Sequence, residues 1–148
     1  MIVTHIRTTI RAYVVAMIKG SALVGSRVEA SRARPLRRGE LTSAFVYTPA
    51  EQSEDIDTDG SQNRRIRVKI DVVTKGEEDG RQDDLDGFAL YVEQKFAADP
   101  HLGGLASATE YRSTDFAANT EGEKTLQVMS ITYEVTAFTL NSDPETTL

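Results

Sequence analysis

The chain has no cysteine and no tryptophan, two histidines and three methionines in 148 residues. Without cysteine there are no disulfides and no thiolate metal sites, while the redox compartment stays open. Two histidines cannot fill the four nitrogen or sulfur positions of a structural zinc site. No uninterrupted apolar run approaches the ~20 residues needed to cross a bilayer as a helix, so no membrane partner is expected. No charged n-region, apolar h-region and cleavage site open the chain, so no secretion signal is expected and synthesis in a host cytoplasm is the simplest reading. Neither G-x-x-x-x-G-K-[ST] nor G-x-G-x-x-G occurs, which removes the usual phosphate cradles. These absences point to assembly rather than chemistry: the expectation is no enzyme and no cofactor.

What is present is globular. A hydrophobic fraction of 39% and a charged fraction of 27% are ordinary for a folded domain, and a chain of this length can bury about 68–70% of its unfolded surface. One domain over residues 1–140 is expected, with residues 141–148 as a polar tail. The net charge of −6 is unevenly spread. Arg7, Arg11, Lys19, Arg27, Arg32, Arg34, Arg37 and Arg38 crowd the front against Glu29, and the remainder is strongly acidic. Such a division favours head-to-tail contact between copies or docking on charged partners; two differently solvated faces are the plainer alternative.

The hydrophobic spacing sets the elements. Thr4 is a plausible N-cap for a helix whose Ile6, Ile10, Tyr13, Val14, Met17 and Ile18 draw one apolar stripe, ended by Gly20 and Gly25. A membrane-surface helix could share that stripe, but strands able to cover it follow, which favours a core-facing one. Arg27 to Arg32 can make a short extended segment that Pro35 stops. Leu41 to Thr48 reads as a strand closed by Pro49, and Glu51 to Asn63 as an acidic linker. From Arg64 to Thr74, Ile66, Val68, Ile70 and Val72 alternate with Arg65, Arg67, Lys69 and Asp71, a strand with one buried and one wet face.

After a charged loop, Asp83, Asp84 and Asp86 crowd the first turn of a second helix and Lys95 lies near its end, as the helix dipole favours. Leu85, Phe88, Ala89, Val92 and Phe96 supply its buried stripe. Gly87 inside it is expected to mark close packing against a neighbour. Extended runs follow at Ser107 to Phe116 and Lys124 to Leu140. The order predicts an α+β fold, a mostly antiparallel β-sheet with two α-helices packed on one face.

Candidate chemistry is sparse. Asp55-Ile56-Asp57-Thr58-Asp59-Gly60 repeats the first half of a calcium loop, but loop position 12, which needs a bidentate Glu, is Ile66, and strands flank it. A solvated acidic turn is the favoured reading, so no metal site is assigned; a weak divalent-ion contact at a subunit junction is the alternative. His5 and His101 have no nucleophile or metal constellation beside them in the sequence. The stretch Arg27, Arg32, Arg34, Arg37, Arg38 could hold phosphates, yet no aromatics interleave it for base stacking and the chain is acidic overall, so a protein-facing patch is favoured.

Several strings taken in order resemble the tail terminator proteins of long-tailed bacteriophages, the family typified by the minor tail protein U of phage lambda. They are Ala33-Arg34-Pro35-Leu36, Ser43-Ala44-Phe45-Val46-Tyr47, the acidic linker, Arg65 to Val72, Asp84-Leu85-Asp86 opening the long helix, and Ser130-Ile131-Thr132-Tyr133-Glu134-Val135. The resemblance covers most of Thr4 to Phe138. The Arg cluster and the loop Glu77 to Arg81 have no counterpart in it. It implies a structural virion protein: a hexameric ring on the head-proximal end of the tail tube that stops tube polymerisation and offers the head-tail joining surface. Its partners would be itself, the tail tube protein and head-tail connector or neck proteins, with DNA only passing through the lumen. A neck or head-completion adaptor binding the portal side is the alternative, and a small ligand-binding or enzymatic α+β domain a third.

A ring needs one patch meeting a different patch on the next copy. Charge segregation suggests Arg32, Arg34, Arg37 and Arg38 against Asp55, Asp57 and Asp59 or Glu77, Glu78 and Asp79. An acidic bore would let phosphates slide, so some carboxylates are expected to face it.

Overall fold

A computed structural model describes residues 5–34, 36, 41–56, 60–75, 81–121, 124–140 and 143–147. In chain order the elements are α1 (Ile6–Ile18), β1 (Val28–Glu29), β2 (Ser43–Asp55), β3 (Ser61–Lys75), α2 (Arg81–Ala98), a 3-10 turn at Leu102–Gly104, β4 (Ala108–Glu121), β5 (Lys124–Leu140) and β6 (Asp143–Thr147). The strands form one sheet in the order β1-β2-β3-β5-β4, with β6 pairing to β5. Among the described residues only the β1–β2 pairing is parallel. The fold is α+β, with two helices and a mostly antiparallel sheet, as the order of patterns predicts.

Register explains why both helices lie on one face. Ala44 pairs with Val72 and Val46 with Ile70 across β2 and β3, and Ile66, Val68, Ile70 and Val72 pair with Val135, Tyr133, Ile131 and Met129 of β5. Because side chains alternate with period two, this register puts every one of them on the same side. Ile6, Ile10, Val14 and Ile18 of α1 and Leu85, Phe88, Val92 and Phe96 of α2 close over them in one core. Each such side chain contributes about 1.5–3 kcal/mol on full burial. Phe96 stacks on Tyr133 with ring centroids 3.8 Å apart, which seats α2 on β5.

Several boundaries differ from the sequence expectation. Thr4 lies outside the described residues, and the α1 cap is His5, whose Nδ1 accepts from the Arg7 N–H at 3.1 Å. Pro49 does not end its strand: the register slips between Tyr47 and Ala50 and β2 continues to Asp55. β1 has stopped alongside Phe45, so among the described residues that side of β2 is a free edge where a missing N–H costs no ladder bond. Most of the expected linker is therefore hairpin. Ala50 to Asp55 pair with Gln62 to Arg67, and Ser61 to Arg64 are held from their other side by Ala137 to Leu140 of β5.

Gly87 is exposed, and a Cβ there would meet nothing within 4 Å, so it does not mark close packing. Part of the expected polar tail, Asp143–Thr147, adds to β5 rather than trailing loose, and the Thr147 hydroxyl donates to the Leu105 carbonyl at 3.0 Å.

Candidate functional site

The helix-free face of the sheet is not uniformly wet. Phe45 is 0% exposed, Val73 2% and Asp71 5%. Just after β1, Arg32 and Arg34 reach over this face, with the Arg34 guanidinium 5.2 Å from the centre of the Phe45 ring and that of Arg32 5.8 Å from Tyr47. Such contacts add about 0.5–1 kcal/mol each at exposed sites. Under this cover the Tyr47 hydroxyl donates to Asp71 Oδ2 at 2.9 Å, and burial together with the neighbouring carboxylate pushes the phenol up to about 12. Among the described residues Asp71 Oδ1 has no partner. The alternation that marks Asp71 as a wet position misses this, because the cover comes from a segment far from it in sequence.

A second polar cluster joins the start of α1 to β2 and β3. Glu51 accepts from Arg7 at 3.1 Å and from Arg64 at 3.0 Å, and Ser53 donates to it at 2.9 Å. Arg64 also donates to Thr139 at 2.6 Å, and its guanidinium lies 3.4 Å from His5 Nε2. Burial opposes the Glu51 charge, but the hydrogen bonds from Ser53 and Arg7 and the charges of the two arginines outweigh it, so the carboxyl titrates below its ordinary range. Burial and then the same arginines pull His5 below its ordinary value. Glu51 lies in what reads as linker, and its role follows only from the extended hairpin.

His101 stands apart, its Nδ1 3.2 Å from the Ala106 carbonyl. Between the turn at 20–25 and α2 lies an open groove of about 590 Å³ lined by Leu23, Phe88, Leu90 and Tyr91, with Asp83 and Asp84 at its rim. Leu90 is 58% exposed there. Among the described residues no group of three or more His, Cys, Asp or Glu could hold a metal ion, and no helix is long and apolar enough to cross a membrane.

The sequence-nominated contact residues fall out as follows. Arg32 and Arg34 lie together over β2, and Arg34 also pairs with Glu29 at 3.0 Å. Asp55 is at the far end of β2, where it accepts from the Gln62 side chain, and position 12 of the calcium-like loop, Ile66, is fully buried in the core. Arg37, Arg38, Asp57, Asp59, Glu77, Glu78 and Asp79 lie outside the described residues.

The sheet order separates charge. Arg7 and Arg11 of α1 reach β2 at one margin, through Glu51 and Thr48, and Arg32 and Arg34 lie over the same strand from the helix-free face. At the other margin Asp86 and Glu93 of α2 lie on the helix-covered side, where Glu93 nears Thr109 of β4, while Glu110 and Asp115, paired opposite Glu134 and Ser130, face the helix-free side. Asp86 and Glu93 share a helix face seven residues apart. In the sequence the α2 acids read only as dipole partners; their seven-residue spacing was the available signal.

No protein-family model matches the chain, and no curated protein matches it either.

Proposed function

We propose that the chain is a structural subunit of a long-tailed phage or a phage-derived particle, forming a hexameric ring that caps the head-proximal end of the tail tube, ends tube growth and offers the head-joining surface. What supports the reading is where the resembling strings lie. Ser43 to Tyr47, Arg65 to Val72 and Ser130 to Val135 are neighbouring strands in register at the centre of the sheet, and Asp84-Leu85-Asp86 belongs to the helix above them. The mechanism is steric: a bound ring occupies the tube end that the next tube subunit needs. It works by interfaces between copies and with the tube protein, and DNA passes through the lumen.

The test is to polymerise tube protein with and without this chain and measure tube lengths and end structures by negative-stain electron microscopy. Six-fold caps at one end and shorter tubes are expected. Tubes of unchanged length that fail to join heads only when this chain is left out would instead favour a neck adaptor. Two-fold dimers indifferent to tubes would favour a small ligand-binding domain using the groove beside Leu90.

A further inference from the structure

We propose that the α1–β1–β2 margin of one copy docks on the α2–β4 margin of a second copy of this chain, repeating head to tail. The inference rests on the ring reading and names the two surfaces that would close the ring. The basic margin carries Arg11 on the α1 side of β2 and Arg32 on its helix-free side. Arg11 is held along the margin by the Thr48 hydroxyl at 2.6 Å and the Thr8 hydroxyl at 3.1 Å, contacts that leave its charge unneutralised, and Arg32 lies over Tyr47. The acidic margin carries Asp86 and Glu93 on the α2 side of the β4 edge and Asp115 on its helix-free side, with Glu110 there partly offset by Arg112 at 3.1 Å. Phe116, 51% exposed on β4, supplies an apolar anchor within it.

Three features select a second copy, and head-to-tail order, over other occupants. The two surfaces belong to the two ends of the strand order, so they cannot meet within one chain. A two-fold dimer through either margin would set like charge against like, whereas margin to opposite margin satisfies both, which is the heterologous geometry of rings. Among the named strands β4 pairs only with β5 along its length, and β2 beyond Phe45 pairs only with β3. Each margin thus presents an open strand edge, a hazard that a neighbouring copy would cover. In this proposal the acidic partner is α2 with β4.

The decisive experiment compares four samples by analytical ultracentrifugation at low salt, where surface charge is least screened: the wild-type chain, Arg11→Glu/Arg32→Glu, Asp86→Lys/Asp115→Lys, and the two variants mixed. The wild type is expected to form closed oligomers. Each variant alone presents two margins of one sign and should be monomeric with unchanged circular dichroism. The mixture pairs opposite signs at every junction and should restore oligomers. A monomeric wild type, a variant that assembles like the wild type, or a mixture of folded variants that stays monomeric overturns the proposal. If a variant is unfolded, Arg11→Gln/Arg32→Gln and Asp86→Asn/Asp115→Asn replace it, each expected to weaken association about tenfold or more; no weakening overturns the proposal. Oligomers with this charge dependence that leave tubes uncapped would keep the margin contact and remove the terminator reading, while tube capping indifferent to both charge pairs would do the reverse.

Discussion

The Tyr13 hydroxyl of α1 donates to Asp99 Oδ2 just beyond α2, and the Gly103 N–H donates to the other oxygen of that carboxylate at 3.0 Å. One carboxylate thus ties α1 to the end of α2 and to the turn leading into β4. Gly103 has φ +65°, and a Cβ on it would lie 2.9 Å from the Tyr13 hydroxyl. Gly104 also has positive φ, at +96°, but open space around it. Gly103→Ala should therefore cost about 2–4 kcal/mol, combining backbone strain and displacement of Tyr13, and Gly104→Ala clearly less. Urea denaturation of the two variants checks the order; equal losses would show that strain alone matters.

The cluster around Glu51 makes stability fall in acid, in two windows. His5 titrates below its ordinary value of 6.5 when folded, so as pH drops through 6.5 the unfolded chain binds the proton first and stability declines until the folded-state value is passed. Glu51 is also lowered, so its contribution is intact above 4.5 and is lost as pH falls below that, through the folded value. Glu51→Gln should remove the lower window and cost about 1–3 kcal/mol at neutral pH by leaving two guanidinium groups short of a charged acceptor. Denaturation midpoints measured from neutral pH down to acid, for wild type and variant, check both statements. A variant with an unchanged acid profile would remove the role assigned to Glu51.

Tyr47 should ionise late. Its phenol is raised to about 12, so its neutral form is the folded one, and stability is lost as pH rises above its ordinary value of 10. Tyrosinate absorbance should show a late-titrating component to which Tyr13 and Tyr133, both also raised, contribute, and Tyr47→Phe should reduce its amplitude by one phenol. That variant also strips Asp71 of its one described partner, at about 1–3 kcal/mol.

Gly87→Ala should raise stability by up to about 1 kcal/mol. The position is exposed, mid-helix and free of neighbours within 4 Å, and alanine restores the helix propensity that glycine lacks. Thermal unfolding checks it, and a loss of stability would mean that the α2 backbone is tighter at this point than its surroundings indicate.

What the chain determines alone is the type and order of its elements. Ile66, Val68, Ile70 and Val72, or Ile6, Ile10, Val14 and Ile18, declare strand and helix because each residue's side is dictated by a local period. The two-helix face follows, since only one side of the central strands is apolar. Hairpin length was not legible: Glu51 to Asp55 have no apolar alternation and are strand because β3, itself held by β5 on its other side, pairs with them. The burial of Asp71 was illegible for the same kind of reason, depending on Arg32 and Arg34 passing overhead. Charge segregation along the chain is plain in the sequence. Which carboxylates stand opposite the arginines was decided by tertiary structure, because strand order, a set of long-range pairings, sends β1 and β2 to one margin and β4 to the other.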